Sequence, residues 1–186
     1  MANSWPGKLE MFGGTEASQI VELAITLPLL LVVVVGLTDF SGAFNLKFRL
    51  SNAAREAARF AANQSTADLS NATPASIVAV RDVVDSYLVA LHINDCGLST
   101  QSASKSGLVW TYTANTGCPG TLTLTINRGA TFNVAGGTPA IVEATGVNIS
   151  YPYQWRLSKV IQVLIPSATY AALTHITESA VVQNLD

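Results

Sequence analysis

The chain has 186 residues, room for one domain plus an anchor. Only 12% of them are charged, about half the share usual in a soluble globular domain, although the apolar fraction is ordinary. Ten basic against twelve acidic residues give a net charge of −2, so the basic stripe that nucleic-acid binding requires is missing and no nucleic-acid partner is expected.

Part of the charge deficit lies in one N-terminal segment. The rest comes from Ser, Thr, Asn and Gly standing where Lys and Glu are usual, a surface common in exported proteins. Residues Leu23 to Thr38 read LAITLPLLLVVVVGLT and carry no charge. A spanning helix needs about 20 apolar residues. Ile20 and Val21 extend the run upstream past Glu22, and Phe40, Ala43 and Phe44 extend it downstream past Asp39. Three readings compete: a buried core helix, a cleaved secretory signal and a retained membrane helix. The VVVV block and the N-terminal position argue against the first. A signal needs a basic n-region, but only Lys8 precedes the run, offset by Glu10 and Glu16, and Ser41-Gly42-Ala43 is a weak cleavage site. The retained helix is preferred. Lys47, Arg49, Arg55 and Arg59 follow it, which by the positive-inside rule places the C-terminal side in the cytoplasm. The uncharged polar domain and the cysteine pair point instead to export, and that argument is given more weight.

Glu22 is the informative residue, because a carboxylate inside a membrane segment is costly and is a functional candidate by default. A Glu at a helix N-terminus is also favoured by the dipole alone. Its surroundings are more specific. EASQIVELAITLPLLLVVVVGLTDF resembles the N-terminal signature of prepilin-like proteins, most closely the TadE-like pseudopilins of tight-adherence pili. That family has a small residue before a cleavage site and a Glu five residues into the mature chain. An apolar run with an early Leu-Pro and a closing acidic-aromatic pair follows. These features fall on Ala17, Ser18, Glu22, Leu27-Pro28 and Asp39-Phe40, with Ala17 where the family usually has Gly. NAAREAARFAA at 52–62 is similar to the family's Ala-rich continuation, so the resemblance covers roughly residues 14–62.

The resemblance implies a 1–17 leader, removed by a prepilin peptidase between Ala17 and Ser18 on the cytoplasmic side. The Ser18 ammonium of one subunit would then pair with Glu22 of a neighbour. Pro28 removes a backbone hydrogen bond and weakens its turn. Gly36, Gly42 and nearby small residues suit close helix packing, though the motif is loose. The implied partners are other pilins or pseudopilins, the peptidase, an assembly platform in a bacterial inner membrane, and lipid. The implied role is a minor pilin-like subunit with a periplasmic or extracellular domain. The alternative is a signal-anchored periplasmic binding or scaffolding protein without processing.

One continuous helix is predicted over 18–63, membrane-spanning in its first half. Phe40, Phe44 and Phe48 share one face, and Ala53, Ala54, Ala57, Ala58 and Ala61 extend an amphipathic pattern that needs cover. Arg55, Glu56 and Arg59 read as a solvated face. A domain over 64–186 follows a polar loop at 63–75. Asn-x-Ser/Thr triplets at Asn63, Asn71 and Asn148 are read as chance matches. A second helix is predicted over about 76–92, capped by Ser76 or Thr73, with Ile77, Val80, Val84, Tyr87, Leu88 and Leu91 as its apolar stripe. Asn94, Asp95 and Gly97 end it.

Period-two alternation then predicts strands over Leu108–Thr113 and Thr121–Ile126, with a turn at Gly117–Gly120. Cys96 and Cys118 are an even count in a segment that looks exported and predict one disulfide, worth about 3 kcal/mol for a loop of roughly 20 residues. Thr131–Thr138 reads as irregular. Gly146–Trp155 reads as a strand, with Pro152 at an edge or strand end. The type of Val160–Ile165 is undecided, Thr169–Thr174 suggests a helical turn, and THITESAVVQN reads as a final strand. Helices followed by strands give an α+β class: a long N-terminal transmembrane helix, a second helix and an antiparallel sheet packed on the outer half of the long helix.

No catalytic constellation emerges, and no cofactor or metal is expected. His92 and His175 have no ligand neighbour at helical spacing. Glu143 and Glu178 are far apart in sequence. Gly136-Gly137 reads as a turn rather than a phosphate cradle, and no phosphate-loop or nucleophile-elbow motif occurs. Trp110, Tyr112, Tyr151, Tyr153 and Trp155 are candidates for a partner surface, with sheet packing the preferred role.

Overall fold

The computed structural model describes residues 14–133, 141–164, 167 and 173–184. Helix α1 (Gly14–Ala62) has 49 residues, about 74 Å at standard rise. Helix α2 (Ala75–Ala90) packs against its outer half. Strands β1 (Ser104–Ser106), β2 (Val109–Ala114), β3 (Leu122–Asn133), β4 (Ile141–Gln154) and β5 (Leu173–Gln183) form one antiparallel sheet in the order β1-β2-β3-β4-β5. Helix α3 (Leu157–Leu164) interrupts the connection from β4 to β5. The molecule is α+β, a meander sheet laid on one half of a long helix.

The helix–sheet contact follows from alanine. Ala53, Ala54, Ala57, Ala58 and Ala61 are fully buried, recurring every three or four residues on one side of α1. Their small side chains let the sheet and α2 approach the helix backbone closely. Leu124, Ile126, Val147 and Ile149 from the sheet, and Ile77, Val80, Val84 and Leu88 from α2, complete this core. Trp110 and Tyr112 of β2 are buried in it, which settles their role as packing. Lys105 lies over the Trp110 ring at 5.1 Å, and Arg81 over that of Tyr112 at 5.7 Å.

Three polar side chains that sequence patterns did not single out hold the loops. Asp68 accepts hydrogen bonds from the N–H and hydroxyl of Ser76, both at 2.8 Å. Helix α2 is therefore capped from a residue eight positions upstream, not by Ser76 or Thr73; Pro74 occupies the N-cap position and has no side chain to offer. Lys105 donates to the carbonyls of Leu69, Ser70 and Asn71, using its three ammonium donors to pin that loop. Arg128 sits at a bulge in β3, where the pairing register shifts between Asn127 and Ala130. The bulge re-aims it inward. It then donates to the carbonyls of Ala61 and Gln64 at the end of α1 and to the hydroxyl of Thr145. Burial pushes its pKa down, opposed by the Asp68 charge.

Several boundaries differ from the sequence-based expectations. Strand β3 continues through the bulge to Asn133, so the start of the segment read as irregular is paired with β4; residues 134–138, with Gly136 and Gly137, lie outside the described residues. The undecided apolar run belongs to α3 as far as Leu164, and residue 165 lies outside the described residues. Residues 169–172 also lie outside the described residues, and Leu173 and Thr174 open β5 instead of closing a helical turn. Pro152 falls where β4 pairs only with β5, since pairing with β3 ends at Ser150.

Cys96 and Cys118 are disulfide-bonded across 22 residues. The bridge ties the segment after α2 to the β2–β3 turn. His92, Cys96 and Gly97 all have positive φ there, at 56°, 57° and 74°. Asn94 reinforces the junction: its side chain donates to the Gly117 carbonyl, and its own carbonyl accepts from the Tyr151 hydroxyl.

Candidate assembly face and its junction with the domain

Helix α1 presents two different faces. Leu50 and the alanine row lie on the domain side, and the same side continues downward through Leu46, Ala43, Asp39, Gly36, Val35 and Val32, which are half-buried or buried. The opposite side carries Val33, Leu37, Phe40, Phe44 and Phe48, each more than half exposed. Phe40, Phe44 and Phe48 do share a face, as their spacing requires, but the domain does not cover it. Most of the alanine row falls at other angles at 100° per residue, and Ala58, which stands five turns above Phe40 at the same angle, is buried where the phenylalanines are not. The phenylalanine face continues upward as Asn52, Arg55 and Arg59. With Glu56 and Tyr87 these line an open groove of about 320 Å³. Glu22 and Phe40 are five helical turns apart and so share that exposed face.

The span from Ser18 to Ala62 contains one helix long and apolar enough to cross a membrane, and its most apolar window has no buried residue. Glu22 is exposed. Its backbone carbonyl accepts the Thr26 hydroxyl at 2.8 Å, an interaction that hides a polar group within an apolar helix. Pro28 lies inside α1. The Ala17–Ser18 bond falls at the end of the helix's first turn, where backbone N–H groups have no partner within the helix.

Asp39 is the one charged residue of the lower helix that the domain engages. It is 3% exposed. Its carboxylate accepts the N–H of Leu157 at the start of α3, where the helix dipole favours negative charge. Its backbone carbonyl accepts the Tyr153 hydroxyl at 3.1 Å. Burial, then the nearby Asp39 charge, push the Tyr153 pKa up. Phe40 meets Trp155 edge-on at 5.3 Å, and Trp155 meets Tyr153 at 5.0 Å. Gly42 makes room beneath them, since a Cβ there would stand 2.9 Å from the Tyr153 hydroxyl and displace it. Gly36 faces Leu157 of α3, where an added Cβ would stand 4.0 Å from the leucine side chain, in ordinary van der Waals contact. Asp39, Phe40 and Gly36 thus gather at one junction, whereas Glu22, Pro28 and the Ala17–Ser18 bond lie far below it.

The remaining candidates are separate. Glu178 pairs with Lys47 at 3.5 Å, joining β5 to α1, and Glu143 is exposed elsewhere on the sheet. Among the described residues no three His, Cys, Asp or Glu side chains converge as metal ligands. Asp85 stands out electrostatically: burial, then Asp95 and Asp82, push its pKa up against the Ser99 N–H, which lowers it.

Residues 17–59 match the family model described as TadE-like protein. The match begins at Ala17 and ends at Arg59, so it covers the exposed apolar face and the α1 side of the junction, and stops before α2, the sheet and α3. No curated protein and no solved structure matches the chain.

Proposed function

We propose that this chain is a pilin-like subunit of a tight-adherence pilus system, held in the membrane and packed against other subunits by α1. The observation that carries the reading is the continuous uncovered stripe from Glu22 through Val33, Leu37, Phe40, Phe44 and Phe48. It lies within the TadE-like segment, and apart from the edge of Phe40 against Trp155 the chain's own domain leaves it open. A lone anchor needs an apolar helix only as far as the bilayer reaches. Here the apolar stripe runs about 13 Å past Asp39, from Phe40 to Phe48, into a region where water would otherwise meet three phenylalanines. A second helix laid along that face removes this cost.

Glu22 supplies register. After cleavage between Ala17 and Ser18, the new ammonium of one subunit pairs with the Glu22 carboxylate of the next, so two charges that are costly in lipid are neutralised together. The disulfide between Cys96 and Cys118 supports placing the domain on the oxidising side of the membrane. The exported domain then selects the partner, and the helix carries the assembly.

The test is Glu22→Ala in the native host. The proposal expects the variant to insert and accumulate normally while fibre assembly, or recovery of the subunit in the assembled complex, is lost. Normal assembly with Glu22→Ala would support a plain signal anchor instead.

A further inference from the structure

We infer that α3 is a membrane foot: a short amphipathic helix lying in the outer headgroup region of an anionic bilayer, beside the last turn of α1's apolar run. This rests on the proposed span of α1. From Ser18 to Thr38 that helix rises about 31 Å, which matches a hydrocarbon core of about 30 Å and sets Asp39 at its outer boundary. Helix α3 begins at that same level. The Leu157 N–H donates to the Asp39 carboxylate, and Leu157 lies against Gly36, one turn deeper. The half-covered positions Val32, Val35 and Gly36 continue down that side of α1.

The composition of α3 fits such a place. Leu157, Val160 and Ile161 recur at helical spacing and are each half-buried, keeping part of their surface open, and Leu157 leans on α1. Lys159 and Gln162 are exposed, and so is Arg156 immediately before the helix. Neither cation forms an ion pair with a described residue, and lipid phosphates at the boundary are the complementary charge. Trp155, with its indole N–H on the Thr174 hydroxyl at 2.8 Å, stands at the same level, where tryptophan's apolar body and polar tip are both accommodated. A helix with a strong polar face, cations and a partly open apolar side is built to lie in the interface plane. Contact there fixes the height and tilt of the domain above the membrane, and with them the phenylalanine face offered to a neighbour.

The test uses the full chain in vesicles of phosphatidylcholine with phosphatidylglycerol. Both native cysteines are tied in the disulfide, so one introduced thiol takes a spin label alone. Labels at Ile161→Cys, Val34→Cys and Ser179→Cys report the foot, the span and the exposed sheet. Collision with oxygen marks lipid, and collision with a nickel chelate marks water. The inference expects the Ile161 label to lose nickel access and gain oxygen access, as the Val34 label does, while Ser179 stays in water. Adding Arg156→Glu and Lys159→Glu should return the Ile161 label to water and leave Val34 in lipid. A Val34 label in lipid with Ile161 in water overturns the foot but not the span. An Ile161 label shielded from both reagents overturns it in favour of a protein cover. A Val34 label in water overturns the span, and the foot with it.

Discussion

Asp68 and Asp85 are carboxylates of one type with opposite consequences in acid. Partial burial pushes the Asp68 pKa up, but the two hydrogen bonds from Ser76 and the Arg128 charge outweigh it, so the net shift is downward. A carboxylate with a depressed folded pKa contributes stability above its unfolded value, near 3.8, and that contribution is lost as pH falls through the folded pKa. Asp68→Ala should cost about 1 kcal/mol at neutral pH, as lost N-caps do, and the difference from the parent should vanish in strong acid. Asp85 is the reverse: its folded pKa is raised by burial and by Asp95 and Asp82, so folding weakens as pH climbs from 3.8 through that value. Asp85→Asn should therefore raise the midpoint of thermal unfolding at pH 7 and leave it unchanged near pH 3. Asp39 acts through geometry, its acceptor oxygen holding the start of α3. Asp39→Ala should increase the mobility of a spin label at Ile161. Asp39→Asn keeps a carbonyl acceptor and should restore the parent spectrum.

At the scale of elements, the long helix works because of what its two faces leave out. The alanine row has no side chain beyond Cβ, and Ala57 is wholly enclosed between helix and sheet. Ala57→Leu should destabilise the domain by roughly 1–3 kcal/mol through overpacking, read from denaturant midpoints at constant slope. Most of this architecture was legible. Helix α1 follows from an uninterrupted apolar and Ala-rich run, and β2, the start of β3, most of β4 and β5 follow from alternation. What was not legible depends on contacts between distant segments. Asp68 caps α2 across an eight-residue gap, and Arg128 reaches the end of α1 only because a bulge turns it. The sheet side of α1 could not be told from the phenylalanine side by hydrophobicity, since both are apolar; size decided, alanine admitting the sheet and phenylalanine excluding it. Helix α3 was ambiguous because a short apolar run has no decisive period.

For the whole molecule, the chain divides near Asp39 into a helix that the domain covers only at its upper end and a helix built into a domain. The junction of Asp39, Gly42, Tyr153, Trp155 and α3 fixes how the domain stands on the lower helix. The disulfide fixes the far side of the domain's lower end. Cys96→Ser with Cys118→Ser should lower stability by roughly 3 kcal/mol for a loop of this size, without changing membrane insertion. The candidate residues of the lower helix were read in a different way from the fold. Among the described residues Glu22 and Pro28 have no contact with the domain that explains them, and the roles proposed for them and for the Ala17–Ser18 bond rest on the pattern within the matched segment.

The most direct test is the N-terminal residue of the mature protein purified from its native membrane. The account predicts Ser18, with its ammonium one turn from Glu22. An intact leader beginning near Met1, or a chain beginning beyond Ser41, would contradict it.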